Sequence, residues 1–244
     1  MKALKMEYKN YISLGYFCSV ARELERMGLR STSSPFDWLI SDWGGVVKAL
    51  TTHFEGFFNE DAFFQCATEP RYYCNKEYNI YMYHDFDAYT PLHWQMKSFR
   101  DKYTRRIERL YNNMLEPTLF IRYISDEDVD STGKSIELKK IEKDYEHLIW
   151  FIKQFNEQND IMWIANEGVQ SKKIKIYHVQ KDDGDSVARV FLEKNAELKK
   201  LFLSADFPLR KVNLEYNHRG VSKMPLALRI RMRLSKPYKH IRQY

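Results

Sequence analysis

An apolar strand, an amphipathic helix and a second apolar strand follow one another between residues 118 and 165. The strands are predicted at 118–123 and 161–165, and apolar residues recur at helical spacing over 136–155. Parallel strands require a long crossover connection, which is usually a helix, whereas a tight turn suffices for an antiparallel pair. A strand–helix–strand order therefore indicates parallel pairing. A parallel sheet is covered by helices on its faces. The sequence therefore predicts an α/β fold with a mixed, largely parallel sheet flanked by helices.

The remaining apolar patterns supply further strands and helices for this layer. A strand at 11–14 precedes a helix at 20–27, which Gly28 is predicted to cap. Further helices are predicted at 43–58 and 96–115, and further strands at 78–84 and 174–179.

Charge divides the chain into two parts. The whole chain of 244 residues carries a formal charge of +6. Residues 210–244 contain ten basic residues and one acid, whereas the preceding 209 residues carry 29 basic and 32 acidic groups. With 9 Gly and 7 Pro in all, there is little material for linkers. We expect a single α/β domain at 1–209 and a basic C-terminal extension at 210–244.

Membrane and secretory classes are disfavoured. The longest stretch without charged residues, 10–21, is much shorter than the roughly 20 apolar residues of a spanning helix. No apolar run follows the first lysines, so a signal peptide is not expected. Three cysteines without CxxC spacing favour a reduced, cytoplasmic protein.

Cys18 stands where the first strand and turn pass into a helix. The helix N-terminus favours a thiolate through its unpaired N–H groups, and a thiolate is the nucleophilic form of cysteine. The same backbone groups are suited to stabilise an oxyanion during acyl transfer. A nearby imidazole would complete a nucleophile and base pair. The alternative is that Cys18 is a small buried apolar residue.

The polar loop at 30–38 holds a carboxylate, Asp37, between two aromatic residues. Such a carboxylate needs a partner, and Arg30 or the Ser33 and Ser34 hydroxyls are close in sequence. We interpret this arrangement as a structural clasp. The alternative is that Arg30, Ser34, Asp37 and Trp38 contribute to substrate binding.

Acidic residues follow the predicted strand at 118–123. Ligands bind at the carboxyl ends of parallel strands, so Asp126 and Asp128 are weak candidates for a divalent metal or an activated-sugar donor. Arg122 at the end of that strand is a candidate clamp for a substrate phosphate or carboxylate, or a partner for these acids. The alternative for the turn is a solvated acidic loop, and no cofactor is expected.

One long motif carries a resemblance to a known family. The motif runs from the first strand to the polar loop, and its residues are Ile12-Ser13-Leu14-Gly15-x-x-Cys18, Ala21, Leu24, Gly28-Leu29-Arg30 and Ser34-Pro35-Phe36-Asp37-Trp38. A later His84-Asp85-Phe86 segment belongs to the same pattern. The chain resembles a bacterial family of uncharacterised function that is described as putative papain-like cysteine peptidases.

The resemblance implies roles for individual residues. Cys18 would be the nucleophile, His84 the general base, and Asp85 or Asp87 the group that orients the imidazole. The implied activity is that of a thiol-dependent hydrolase or acyl transferase, with a peptide as one candidate substrate.

Two other functions remain open from the residues. One is an α/β transferase that acts on a surface glycan or a nucleotide-sugar donor, with Arg122, Asp126 and Asp128 as its ligand residues. The other is a non-enzymatic binding module whose segment 210–244 engages an acidic partner or an acidic membrane surface. No recognised motif accompanies the basic charge, so specific nucleic-acid binding is not expected.

Overall fold

The computed structural model describes residues 8–184 and 187–203, and within them two four-stranded sheets and five α-helices. The strands are β1 (Asn10–Ser13), β2 (Leu39–Ser41), β3 (Phe63–Gln65), β4 (Tyr73–Asn75), β5 (Ile80–Met82), β6 (Thr118–Ile124), β7 (Asp160–Asn166) and β8 (Ile176–Val179). The helices are α1 (Cys18–Arg26), α2 (Trp43–Thr51), α3 (Leu92–Asn113), α4 (Ile136–Lys153) and α5 (Ala196–Leu203). A short 3₁₀ turn spans Glu60–Ala62.

The first sheet is parallel and contains the predicted crossover. Its order is β1-β6-β7-β8, and each neighbouring pair runs in the same direction. β6, α4 and β7 form the strand–helix–strand unit that the sequence predicts. The mixed α/β class is confirmed.

Alternating residues of this sheet enter two separate cores. In β6, Leu119 and Ile121 pack with residues of α1 and α5, whereas Phe120 and Ile124 pack with residues of α2, α3 and α4. Side chains alternate between the faces of a strand, so an apolar run of this kind requires a cover on both faces.

A second, antiparallel sheet was not predicted. It is built from three-residue strands in the order β2-β5-β4-β3, between α1 and α3 in the chain. Strands of three residues show almost no period-two pattern, so the sequence does not predict β2, β3 or β4. The predicted strand at 78–84 is present only in its middle, as β5.

Helix α2 ends earlier than the predicted helix at 43–58. His53 and Phe54 have φ angles of +57°, in the left-handed region that stops an α-helix. Phe54 and Phe57 nevertheless stay buried in the core. The apolar spacing continued past the helix end because these turn residues also face inward.

One buried guanidinium links the two sheets. Arg122 of β6 has no exposed surface, and each of its N–H groups has an acceptor in the protein. It donates to the Leu14 carbonyl at 2.6 Å, to the carbonyl and hydroxyl of Ser41, and to the Glu137 carboxylate. These contacts join the end of β1, the end of β2 and the start of α4.

The turn after β1 approaches this guanidinium closely. Gly15 has a φ of +86°, and a Cβ atom there would lie 2.5 Å from the Ser41 hydroxyl and 2.8 Å from the Arg122 guanidinium. A glycine is therefore required by both backbone conformation and space.

Within residues 8–184 and 187–203, no helix has the length and apolar character needed to cross a bilayer. The predicted extension at 210–244 lies outside the described residues, and its boundary with a domain at 1–209 stays a prediction.

We expect Arg122→Met to lower the free energy of unfolding by about 3–5 kcal/mol, because Glu137 would be left as an uncompensated buried charge. Urea unfolding followed by circular dichroism measures this change. The double variant Arg122→Met/Glu137→Leu should recover part of the loss, whereas Arg105→Ala on the exposed face of α3 should change stability by less than about 0.5 kcal/mol. A loss equal to that of Arg105→Ala would contradict the role of this buried pair.

Candidate active site

A cavity of about 620 Å³ opens where the carboxyl end of the parallel sheet meets the second sheet. Its volume lies within the range of small-molecule binding sites. The walls come from the turn and helix after β1, the end of the polar loop, the second sheet, and two later loops. The lining residues are Tyr16, Phe17, Cys18, Ser19, Arg22, Trp38, Leu39, Ile40, Tyr72, Tyr81, Tyr83, His84, Glu127, Val187 and Arg189.

Cys18 is the first residue of α1 and is half-buried in the cavity wall. Phe17 before it has extended backbone angles and an apolar side chain that cannot accept a hydrogen bond from the helix. The first N–H groups of a helix lack partners within the helix. The backbone therefore presents donors beside the sulfur, as the sequence predicts.

The acidity of the thiol differs from the sequence expectation. Burial raises the pKa of Cys18 above its ordinary value, and the nearby charges of Arg22 and Arg189 offset only part of this effect. Near neutral pH the group is therefore a thiol, which needs a base before it can act as a nucleophile.

His84 lines the same cavity, from the segment after β5. Its ring is exposed and touches two aromatic side chains edge-on, with centroid distances of 6.2 Å to Trp38 and 4.8 Å to Tyr83. The structure thus brings two of the predicted catalytic residues, 66 positions apart in the sequence, to one cavity.

The two predicted orienting acids bind other groups. The Asp85 carboxylate is buried, pairs with Lys102 at 2.5 Å and accepts the Tyr103 hydroxyl at 3.0 Å. The Asp87 carboxylate accepts hydrogen bonds from Thr90 and from the Tyr89 N–H, and these lower its pKa. Neither carboxylate is hydrogen-bonded to His84 within the described structure. Asp85 instead attaches the segment that carries His84 to α3.

The polar loop forms the predicted clasp. Arg30 pairs with Asp37 at 2.8 Å, and the Ser34 N–H donates to the same carboxylate at 2.8 Å. Burial raises the pKa of Asp37, and the charge of Arg30 opposes that effect. Arg30 also lies over the ring of Trp38, 5.4 Å from its centroid. Trp38 is a predicted substrate-binding residue that lines the cavity. The other predicted substrate-binding residues are not among the lining residues; they are Arg30, Ser34, Asp37 and Arg122.

In the acidic turn after β6, Glu127 lines the cavity, whereas its neighbours Asp126 and Asp128 are not among the lining residues. Asp126 accepts a hydrogen bond from Asn166 at 2.8 Å and is 3.5 Å from Lys181, and Asp128 is exposed. In residues 8–184 and 187–203, no group of three His, Cys, Asp or Glu side chains is placed to hold a metal ion. Arg122 is occupied by its internal partners, as described above.

Several residues of the cavity were missed by the sequence reasoning. Ser19 is 5% exposed, and its hydroxyl has no hydrogen-bond partner among residues 8–184 and 187–203. Arg22 follows Cys18 by one helical turn, a spacing that could have identified it. Three more lining residues come from segments that are distant from Cys18 in the sequence. Tyr72 and Tyr81 belong to the second sheet or its edge, and Glu127 follows β6, the strand that pairs with β1.

Comparison with known proteins gives a family and one distant relative. The profile of the family "Putative papain-like cysteine peptidase (DUF1796)" matches residues 9–143, which include Cys18 and His84. The chain is also similar to "Uncharacterized protein R408" of Acanthamoeba polyphaga mimivirus, with 26% identity over 123 residues, 41% of this chain and 54% of the relative. The match thus spans about half the length of that viral protein. No solved structure matches the chain. The bacterial character of the family stays a prediction.

We expect alkylation of Cys18 by iodoacetamide to rise with pH through a higher midpoint than alkylation of Cys66. Burial raises the Cys18 pKa, whereas a hydrogen bond with the Thr68 hydroxyl lowers the pKa of the partly exposed Cys66 thiol. Site-resolved mass spectrometry of quenched time points measures both midpoints, with Cys18→Ala and Cys66→Ala as assignment controls. A Cys18 midpoint below that of Cys66 would contradict this order.

Proposed function

We propose that this chain, which belongs to the family described as putative papain-like cysteine peptidases, is a thiol-dependent hydrolase or acyl transferase. The observation that carries the proposal is the single cavity lined by Cys18 at a helix N-terminus and by His84. Nucleophilic catalysis requires a nucleophile that reaches the electrophilic carbon of the substrate and a base that reaches the proton of the nucleophile.

The raised pKa of Cys18 gives His84 a defined task. An imidazole titrates near neutral pH, so it is able to accept the thiol proton as the sulfur attacks. The sulfur forms a bond to the acyl carbon, the bond between that carbon and the leaving group breaks, and the imidazolium gives its proton to the departing group. Water or a second acceptor, deprotonated by the imidazole, then attacks the thioester, the carbon–sulfur bond breaks, and the imidazolium returns the proton to the sulfur.

The start of α1 supplies groups for the negative charge that develops on the acyl oxygen. Backbone N–H groups of the first turn are unpaired within the helix and lie beside the sulfur. The Ser19 hydroxyl is buried in the same wall and has no acceptor within the described part of the chain. We assign it the role of an additional oxyanion donor.

His84 is positioned by packing rather than by a carboxylate contact in this structure. Trp38 and Tyr83 contact the ring, Arg30 lies over Trp38, and Asp85 holds the following segment through Lys102 and Tyr103. An orienting carboxylate from Asp85 or Asp87 remains a prediction that requires rearrangement of these contacts.

The remaining predictions rest on the sequence. No observation on the described residues favours the glycan or nucleotide-sugar transferase over thiol chemistry, and Asp126 is already engaged by Asn166. The binding module based on 210–244, and its acidic partner or membrane surface, concern residues outside the described structure. A cytoplasmic location likewise stays a prediction.

Removal of either member of the pair should strongly reduce turnover of activated esters. We expect Cys18→Ala to lose hydrolysis of p-nitrophenyl acetate entirely above background and His84→Gln to lose about 10²–10⁴-fold in kcat. Matched controls are Cys66→Ala and His93→Gln, which remove the same groups from partly or fully exposed positions outside the cavity.

The assay follows p-nitrophenolate release, with thermal unfolding of each variant as the check on folding. Turnover that survives in Cys18→Ala at the native rate would overturn the proposed function.

We expect Ser19→Ala to lower kcat by about tenfold or more, since an oxyanion donor is removed. Its free energy of unfolding should stay constant or rise, because a buried hydroxyl without a partner is unfavourable in the folded state. Ester hydrolysis and urea unfolding measure the two effects, with Ser98→Ala on α3 as the control for loss of a hydroxyl. Reduced stability with unchanged kcat would contradict the assigned role.

A further inference from the structure

Among the residues that the structure describes, no hydrogen-bond or ion-pair partner is found for Arg22, which lies beside the candidate nucleophile. It lies four residues after Cys18 on α1, lines the same cavity and is exposed. Residues four apart on a helix lie on one face, with Cβ atoms about 6 Å apart. Within the described part of the chain, Arg22 forms no ion pair. The next arginine of the helix, Arg26, is by contrast bound to Glu23 and Glu193.

Two other charged side chains line the cavity together with Arg22. Arg189 is a second guanidinium in the lining, and Glu127 is the carboxylate among the lining residues. Glu127 accepts the hydroxyl of Tyr16, which is also part of the wall. Arg22 therefore adds one guanidinium charge to the described wall, which suits a ligand group with a single negative charge.

The rest of the cavity offers aromatic surface to an uncharged substrate body. Tyr72 and Tyr83 lie against each other with ring centroids 4.9 Å apart, and Trp38 and Tyr81 also line the wall. A guanidinium on one side of the sulfur and aromatic rings elsewhere would fix the direction in which an acyl compound enters.

We propose that the substrate is an acyl compound that carries a carboxylate, which Arg22 binds close to the carbon that Cys18 attacks. The proposal rests on the proposed function for the attack by Cys18. A carboxylate is favoured over a phosphate because Arg22 supplies a single positive charge. Arg22 is thus assigned to substrate selection.

A second role for Arg22, stabilising the Cys18 thiolate, makes a different prediction. Loss of thiolate stabilisation slows every alkylating agent at Cys18 by the same factor. Loss of a carboxylate site slows an anionic agent more than a neutral one. The ratio of the two rates therefore separates the roles.

The experiment compares iodoacetate with iodoacetamide at Cys18 of the full chain, at a fixed alkaline pH, with labelling rates taken from site-resolved mass spectrometry. In both reactions the thiolate forms the sulfur–carbon bond and iodide leaves. The variants are Arg22→Gln and Arg105→Gln, which remove equal charge from α1 and from the exposed face of α3. The ratio at Cys66 serves as an internal reference that should not change.

We expect Arg22→Gln to lower the iodoacetate-to-iodoacetamide ratio at Cys18 by about fivefold, and Arg105→Gln to leave it unchanged. Succinate should slow the iodoacetate reaction of the native chain and not that of Arg22→Gln. An unchanged ratio in Arg22→Gln, or a Cys18 that neither reagent reaches in the folded chain, would overturn the proposal. Stronger protection by inorganic phosphate than by succinate would overturn the choice of a carboxylate.

This test is independent of turnover. If the ester assays fail while the rate ratio depends on Arg22, the proposed function falls and the anion site stands. If esters are turned over while the ratio is independent of Arg22, the function stands and the carboxylate preference falls.

Discussion

The buried Arg122 guanidinium is the interaction on which the arrangement of the two sheets depends. A charge without solvent must be paired, and Arg122 meets this requirement with acceptors from three separate segments: Leu14, Ser41 and Glu137. The turn after β1, which leads directly into Cys18, is thereby fixed against the end of β2. The sheet that supplies the candidate base is fixed by the same contact, because β2 pairs with β5, after which His84 follows.

The nucleophile and the base thus belong to different sheets. Cys18 begins a helix that packs on the parallel sheet, whereas His84 follows an antiparallel strand. The aromatic residues between them come from the polar loop and the second sheet, and the Arg30–Asp37 pair fixes the loop. Reactive groups on separate rigid layers can be held at a defined separation without a direct hydrogen bond between them, and the space between the layers becomes the substrate cavity.

The sequence predicts those features that a continuous segment of the chain specifies by its own residue pattern. β6, α4 and β7 were predictable because long apolar runs and a helical stripe specify a covered parallel sheet. The three-residue strands β2, β3 and β4 carry too few residues for a pattern. Cys18 and His84 could be identified as the candidate nucleophile and base from residue chemistry and the family motif. The contact of Asp85 with Lys102 and Tyr103 could not, since it depends on which way one turn points its side chains.

The pairing of β1 with β6 has a consequence for how the protein folds. Ile12 lies beside Phe120, 108 positions later in the chain, whereas β6 and β7 are joined by one helix. Contacts between distant segments require closure of a long loop, so they form more slowly than local ones. We therefore expect the β6–α4–β7 unit and the short antiparallel sheet to form before β1 docks onto β6. On this order, the thiol of Cys18 would acquire its surroundings late in folding.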